Sequence, residues 1–490
     1  MLDDTGIIIV VNNFKQSIDI NSSLNISRSQ QVLTGSIGWE NTNDYYSFNL
    51  SNRSSFDVAV DGLSANLNVQ ILDSNGSIVA GSYNRRKFDE SINVVLEAGE
   101  YYIEVYRRGR AVSNYNLRFS SQAITETIPS TSVDWFDQVV QIQDAGIRQT
   151  AKSSFSDGII DRNEMIAILR DSKDDGTIDG IEFADLQTLI NHAATLSIPE
   201  PVRVLANKII NGDAANQKYQ GNSLGNLSAG SSDTQMENLI NKWFLGSDRP
   251  STTYTYQQAS GSLFQNGISY QDITQGQIND CFFLAGLAAT AINSVQTIEN
   301  MFIDNGDNTF TIKFWRNQIA DYITVDRYLP TDSSGNFVYA SKGRNYNNST
   351  NELWVALIEK AYAQLNESGW IYQDNTNSYS GIAQGGYVGD ALQHITGNKV
   401  WMSVPLDFQT IINTLNLNES IGFGSKLQPV SANVVAGHAY VLVNYNYSTQ
   451  KFTLFNPWGI DSSSKPGILE LSWSEIESNF SYWDATKQYT

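Results

Sequence analysis

Between residues 44 and 119 apolar and polar positions alternate with a period of two in six short runs: Asp44–Leu50, Phe56–Val60, Leu67–Leu72, Ser91–Leu96, Tyr101–Tyr106 and Tyr115–Phe119. Turn residues separate them, among them Asp73-Ser-Asn-Gly76 and Ala98-Gly-Glu100. Successive side chains of a strand point to opposite faces, so each run covers a core with one face, and several at this spacing predict an all-β sandwich over 15–121. The pattern then changes. Residues 125–210 read as helical, with apolar positions three or four apart in Glu164–Arg170 and Phe183–Ile190. Residues 211–235 are rich in Asn, Gly, Ser and Ala, which predicts a flexible linker that ends in a helix, 211–245 in all. Residues 246–490 mix an apolar helical pattern from Cys281 with late strand-like runs: one after His438 that turns at Tyr445–Gln450, one from Lys451 that ends on Asn456, and a closing strand Ile468–Trp473. The expected class is multidomain α+β.

Inside the helical stretch, Asp171–Glu182 fits a twelve-residue EF-hand loop for a calcium ion (Ca2+). Acids stand at positions one, five and nine (Asp171, Asp175, Asp179), Gly176 at six, Thr177 at seven, Ile178 at eight and Glu182 at twelve. Lys173 at position three puts a positive charge where an oxygen ligand belongs. An earlier loop, Ser153–Glu164, is a poorer ligand set because Phe155 takes its third position. The expectation is a degenerate EF-hand-like pair in which Ile160 and Ile178 join across a short β-bridge. A turn that keeps the fold without the ion is the competing reading.

The formal net charge is −20 over 490 residues. That excess of acids speaks against nucleic acid, whose phosphates need clustered Lys and Arg, and against an anionic membrane surface. No segment approaches the roughly 20 apolar residues of a membrane span. The N-terminal run Gly6–Val11, behind Asp3 and Asp4, is too short and wrongly flanked for a signal peptide. A single cysteine excludes intrachain disulfides.

That cysteine, Cys281, falls where a polar Gly-bearing turn, Gln275–Asp280, runs into the apolar helix. Unpaired N–H groups and partial positive charge at a helix N-terminus stabilise a thiolate, the nucleophilic form. A thiolate nucleophile needs a base, and the chain has three histidines. His192 and His394 lie in helical stretches without evident partners, whereas His438 precedes a strand whose hairpin partner ends on Asn456. An amide there orients the imidazole, as in the Cys-His-Asn form of the triad. Gln275, six residues before the cysteine, is placed to donate to an oxyanion together with the Cys281 N–H.

The segment Gln275–Ala288 resembles the active-site segment of calpains, the calcium-dependent papain-like cysteine endopeptidases. The likeness extends through Val325–Thr331, Asn351–Leu365, Gly437–Tyr440 and Asn456–Gly459, over about 250–490. It implies a papain-like core with a helical lobe and a β-rich lobe. It also implies catalytic roles for Cys281, His438, Asn456 and Gln275, with Trp458 shielding the His–Asn bond. One calcium site is implied at the Gln265 and Gly267 carbonyls and the Asp272 and Glu352 carboxylates. The family's second site has no counterpart, since the loop Ile460–Gly467 holds a single carboxylate, Asp461. Phe282 replaces the tryptophan usual after the cysteine. The β-rich N-terminal region, through Gly35, Asp44–Phe48 and Leu96–Val105, resembles the bacterial pre-peptidase C-terminal domain, an accessory of secreted peptidases.

The functional expectation is a calcium-dependent cysteine endopeptidase acting on protein or peptide substrates, with self-cleavage in the 211–235 segment. Two alternatives remain: acyl transfer to an amine by the same triad, as in transglutaminases, and a calcium-responsive binding protein with an idle core. The accessory domain favours an extracellular address, and the missing signal-peptide pattern a cytoplasmic one.

Overall fold

The computed structural model describes residues 18–19, 31–39, 41–50, 53–74, 76–84, 87–109, 111–123 and 135–487, and the run Gly6–Val11 lies outside them. The chain divides into two compact units, Met1–Ser132 and Val133–Thr490.

The first unit is a two-sheet sandwich. Its strands are β1 (Ile18–Asp19), β2 (Gln31–Ile37), β3 (Asn43–Leu50), β4 (Ser54–Asp61), β5 (Leu67–Asp73), β6 (Ile78–Ser82), β7 (Glu90–Leu96), β8 (Gly99–Arg107) and β9 (Ser113–Ala123). They form sheets of order β1-β3-β8-β5-β6 and β2-β9-β4-β7. Alternation places Tyr46 and Phe48 of β3 against Phe56 and Val58 of β4 in one core. The Phe48 and Phe56 rings stack 4.2 Å apart. Tyr115 donates to the buried Asp44 carboxylate at 2.6 Å, which satisfies a charge inside that core.

The second unit begins with helices α1 (Trp135–Val139), α2 (Ala145–Ser154), α3 (Arg162–Asp171), α4 (Gly180–Asn191), α5 (Glu200–Ile210) and α6 (Asp233–Trp243). Their apolar faces belong to the same continuous core as the helix from Cys281, from Phe136 through Trp243 and Phe283 to Phe455. The expected separation into a helical domain, a linker and a further domain is therefore corrected: 133–490 is one body. Burial of charge reinforces the join. Lys242 is fully buried between Asp248 and Glu367, with the Glu367 contact at 2.6 Å, and Lys208 pairs with Asp321 at 2.6 Å.

The expected linker is also corrected. Asp213 accepts from the Ala215 N–H at 2.8 Å, and the buried Asn216 donates to the Lys208 carbonyl at 2.8 Å while accepting from Trp243 Nε1 at 2.7 Å. The Asn, Ser and Gly residues of this segment supply turns and caps, which its composition alone does not distinguish from a linker. Ile178 does not form its β-bridge with Ile160. Strand β10 (Thr177–Ile178) pairs antiparallel with β11 (Ser231–Ser232), inside the segment read as a linker.

The remainder is built on α7 (Cys281–Asn293), whose residues are buried from Cys281 to Ala291. A helix apolar all round belongs in a core. At Gly286 an added Cβ would lie 2.6 Å from Ala391 Cβ, so glycine allows α9 (Val388–Thr396) to cross closely. On one side stands the sheet β12 (Phe302–Asp304), β13 (Thr309–Arg316) and β14 (Ile319–Asp326), with the buried helix α8 (Trp354–Leu365). On the other stands a six-stranded sheet of order β15-β20-β16-β17-β18-β19. These strands are β15 (Val400–Val404), β16 (Ile421–Ser425), β17 (Ala439–Asn446), β18 (Lys451–Phe455), β19 (Ile468–Ser472) and β20 (Phe480–Thr486). Strand β17 shows the period of two at work: Ala439 and Val441 face the core that contains α7, while Tyr440 and Leu442 face a separate core with Phe423 and Trp483.

Candidate active site and ion site

The hairpin β17–β18 sets the first geometry. Val441 lies opposite Phe455, so His438 before one strand and Asn456 after the other come together. The imidazole Nε2 stands 2.9 Å from Asn456 Oδ1. The same oxygen accepts the Trp458 N–H at 3.1 Å, and Asn456 Nδ2 donates to the Pro466 carbonyl at 3.3 Å. The Trp458 ring lies 5.5 Å from the His438 ring, centroid to centroid. All of Asn456 is buried and His438 is nearly so. Burial pushes the His438 pKa down to about 4, against the opposing effect of its bond to Asn456.

Cys281 is the first residue of α7, and Asp280 at the N-cap lends the helix no side-chain bond. The thiol lies 3.9 Å from Asn279 Oδ1 and receives a backbone hydrogen bond at Ala439, the residue after His438. Burial first, and then the charge of Asp280, push the thiol pKa up to about 11. Burial thus favours the neutral form of each group, the thiol and the imidazole alike. The other two histidines stand apart from this arrangement: His192 Nδ1 bonds the Thr188 carbonyl, and His394 is buried against the Tyr362 hydroxyl.

Gln275 reaches the same place through its backbone, whose N–H donates to the Pro457 carbonyl at 2.8 Å. Its side-chain Nε2 donates to the Ile278 carbonyl at 2.8 Å and to Asp280 Oδ1 at 3.3 Å. Gln275, His438 and Trp458 line one cleft of about 1030 Å³, with Lys342 and Arg344 on its wall together with Asp461.

A second cavity, of about 700 Å³, is lined by Gln265, Gly267, Asp272 and Glu352, and by Gly343 and Arg344, which also line the first. Glu352 Oε1 accepts the Gln265 N–H at 2.9 Å, and Asp272 Oδ2 accepts from Ser269 N at 2.7 Å and Trp354 Nε1 at 3.2 Å. Burial and then the neighbouring Asp272 charge raise the Glu352 pKa to about 7, while Arg344 opposes the rise. Asp272 is also raised, by burial. Gln265 Oε1 is buried without a hydrogen-bond partner. Two carboxylates that repel each other beside an unpartnered amide oxygen form a hard, oxygen-rich donor set, which fits calcium.

The loop 171–182 does not fit in this way. Asp179 Oδ1 accepts from the Ile181 and Glu182 N–H groups, and Glu182 Oε2 accepts from Asp179 N, a capping box that starts α4. Asp175 turns to Thr177, Asp171 to Thr150, and Lys173 pairs with Glu237 at 2.6 Å. Among the described residues no group of three or more His, Cys, Asp or Glu side chains is placed to hold a metal. In this structure the expected EF-hand residues Asp175, Asp179 and Glu182 serve as capping and turn residues.

Sequence reasoning passed over two residues here. Asp280 and Glu359 are buried acids in contact behind Cys281. Glu359 had a signal, a charged position within an otherwise apolar block, whereas Asp280 lies in a polar turn and had none.

Comparison with known proteins accords with this arrangement. Residues 228–482, more than half of the chain, match the family model described as calpain family cysteine protease, and residues 42–107 match that of the bacterial pre-peptidase C-terminal domain. A calpain-type cysteine protease of Zea mays is 26% identical over 44% of this chain and 11% of its own length. The calpain-1 catalytic subunit of Mus musculus is 28% identical over 46% of this chain and 31% of its own. The chain thus spans less than a third of the length of these relatives. A solved pre-peptidase C-terminal domain of a Bacillus anthracis collagenase is 17% identical over 22% of this chain and 94% of its own, with a TM-score of 0.18. By the match over its second unit, the chain belongs to the calpain family of cysteine proteases.

Proposed function

We propose that the chain is a calcium-dependent cysteine endopeptidase in which Cys281, His438 and Asn456 form the triad and Gln275 serves the oxyanion. The observation that carries this is the His438–Asn456 bond, covered by Trp458 and set beside a thiol at a helix N-terminus. Asn456 Oδ1 accepts the Nε2 proton, so Nδ1 is free to take the thiol proton. The Cys281 sulfur attacks the peptide carbonyl carbon, and the oxyanion draws on the Cys281 N–H and the Gln275 amide. Collapse breaks the C–N bond as His438 returns the proton to the leaving amine. Water, deprotonated by His438, then hydrolyses the thioester and frees the thiol.

The resting site needs adjustment before this can run. Both Gln275 N–H groups are engaged, and the bond to the Ile278 carbonyl is the one an oxyanion must replace. A calcium ion held by Asp272, Glu352 and the Gln265 and Gly267 carbonyls would supply positive charge to two raised carboxylates. Segment 343–344 lines both cavities, so reordering it at the acid pair reaches the cleft wall. In this reading residues 135–245 brace the core and bind no ion through 171–182. Self-cleavage within 211–235 is not part of it, because that segment is hydrogen-bonded into the fold.

The test is hydrolysis of casein by the full chain in calcium and in chelator, for wild type and for Asp272→Asn/Glu352→Gln. The expected result is cleavage that needs calcium in the wild type and is lost or demands more calcium in the variant. Equal cleavage with and without chelator would remove the ion from the reading. Conjugation of an added primary amine in place of hydrolysis would replace it with acyl transfer.

A further inference from the structure

Behind the nucleophile lies a pair of acids that the reaction described above does not use. Asp280 is completely buried and Glu359, from the middle of α8, is 1% exposed. The two carboxyls face each other, and Asp280 Oδ2 accepts from no N–H or O–H of its surroundings. Two buried carboxyls in contact cannot both ionise, so they share one proton. Burial raises both carboxyls; Asp280 accepts from the Gln275 amide and from its own backbone N–H, while Glu359 accepts from the Ala340 N–H alone, so the charge sits on Asp280 and the shared proton on Glu359. The other titratable groups facing the pair are Cys281, Tyr339, Tyr362 and Tyr379, and none of them is a cation.

The pair is tied at both ends. The Ala340 N–H lies 3.2 and 3.0 Å from the two Glu359 oxygens. Asp280 Oδ1 accepts from Gln275 Nε2, and the Asp280 carbonyl accepts from Phe283 N at 2.9 Å in the first turn of α7. The turn beyond Gln275 presses on the same segment as Ala340: a Cβ on Gly276 would lie 2.2 Å from Tyr339 Cα.

Resting on the peptidase reading, we propose that Glu359 is a positioning residue: its protonated carboxyl donates to Asp280 and thereby fixes the carboxylate that holds the Gln275 amide beside Cys281. The same proton keeps a second negative charge away from the thiol, whose ionisation Asp280 already opposes. No bond is made or broken at the pair, and the proton stays on it through the cycle.

The experiment uses the full chain with Glu359→Gln, Glu359→Leu and Asp280→Asn, each checked for folding by near-ultraviolet circular dichroism. Two readouts are taken: kcat and KM on fluorescein-casein, and the pH midpoint of iodoacetamide alkylation, which reports Cys281 alone because it is the only cysteine. Gln keeps the donor, so Glu359→Gln is expected within about threefold of wild type in kcat. Glu359→Leu is expected to lose about 100-fold in kcat with KM little changed, the scale of a misplaced catalytic group. A folded Glu359→Leu with wild-type kcat overturns the proposal, as does Glu359→Gln impaired as badly as Glu359→Leu. If Glu359→Leu does not fold, the remaining variants decide: Asp280→Asn must lower the thiol midpoint and Glu359→Gln leave it in place. Any other pattern overturns the proposal. Wild type that cleaves no casein contradicts the peptidase reading separately, and the alkylation midpoints still test the pair.

Discussion

His438 Nε2 and Asn456 Oδ1 stand 2.9 Å apart across the end of a hairpin, and the Trp458 N–H closes on the same oxygen at 3.1 Å. Two donors on one oxygen, with Nδ2 turned to the Pro466 carbonyl, fix which way the amide points and which imidazole nitrogen carries the proton. Asn456→Ala frees the ring to turn and to change tautomer. It should lower kcat by roughly 10³-fold. It should also cost about 1–3 kcal/mol of stability, because buried partners lose their bonds. Casein kinetics and thermal unfolding of the variant check both. A variant with wild-type kcat would detach Asn456 from the chemistry.

The neutral thiol and imidazole make a prediction about reactivity at rest. With the thiol at about 11 and the imidazole at about 4, the thiolate fraction climbs steadily with pH. Iodoacetamide alkylation in chelator should therefore rise without a plateau from about pH 6 to 10. Calcium should bring a plateau near neutrality if it converts the site to an ion pair. A flat, fast profile in chelator would mean that the ion pair exists at rest.

Glu352 gives stability a pH dependence whose sign is fixed. Its pKa is raised from 4.5 to about 7 in the folded chain, so the folded state binds more protons across that window. Stability then falls as pH rises from 4.5 through about 7, and a bound cation offsets the loss above it. In chelator, Tm should drop across this range, and calcium should raise Tm more at pH 7.5 than at pH 5. Calcium at a hundred times its Kd adds about 2.7 kcal/mol. Glu352→Gln should flatten both trends. A calcium-induced Tm shift that survives in Glu352→Gln would place the ion elsewhere.

Lys242 of α6 has no exposed surface and pairs with Asp248 and Glu367, both from the residues that follow the helix. Lys242→Met leaves two buried carboxylates without their cation, a loss of about 3–5 kcal/mol. Because α1–α6 share the core of α7, a chain starting at residue 246 should be insoluble or partly unfolded. A stable, cooperative unfolding transition of that fragment would separate the helices from the core.

How much of this was legible in the sequence varied with how local the signal was. The approach of His438 to Asn456 was, because a hairpin's register follows from two strand patterns and the turn between them. Six sandwich strands were too, from their alternation. Strand β6 was not: it is a short edge strand, mostly exposed, with Gly81 in it, so it lacks a buried face. The segment 211–235 misled because its order comes from partners far away, Trp243 for Asn216 and Ile178 for Ser231, which composition does not encode. The acids of 171–182 have the spacing of a calcium loop, yet the backbone N–H groups of α4 take the oxygens. The Glu359–Asp280 contact spans two elements, and no local pattern announces it.

The central claim is that Cys281 is the nucleophile of a peptidase, and casein hydrolysis by wild type and Cys281→Ala at equal folded concentration in calcium tests it most directly. New peptide ends are expected from the wild type and none from Cys281→Ala, with thermal unfolding of the two alike. Cleavage by Cys281→Ala, or none by a folded, calcium-supplied wild type, would contradict it.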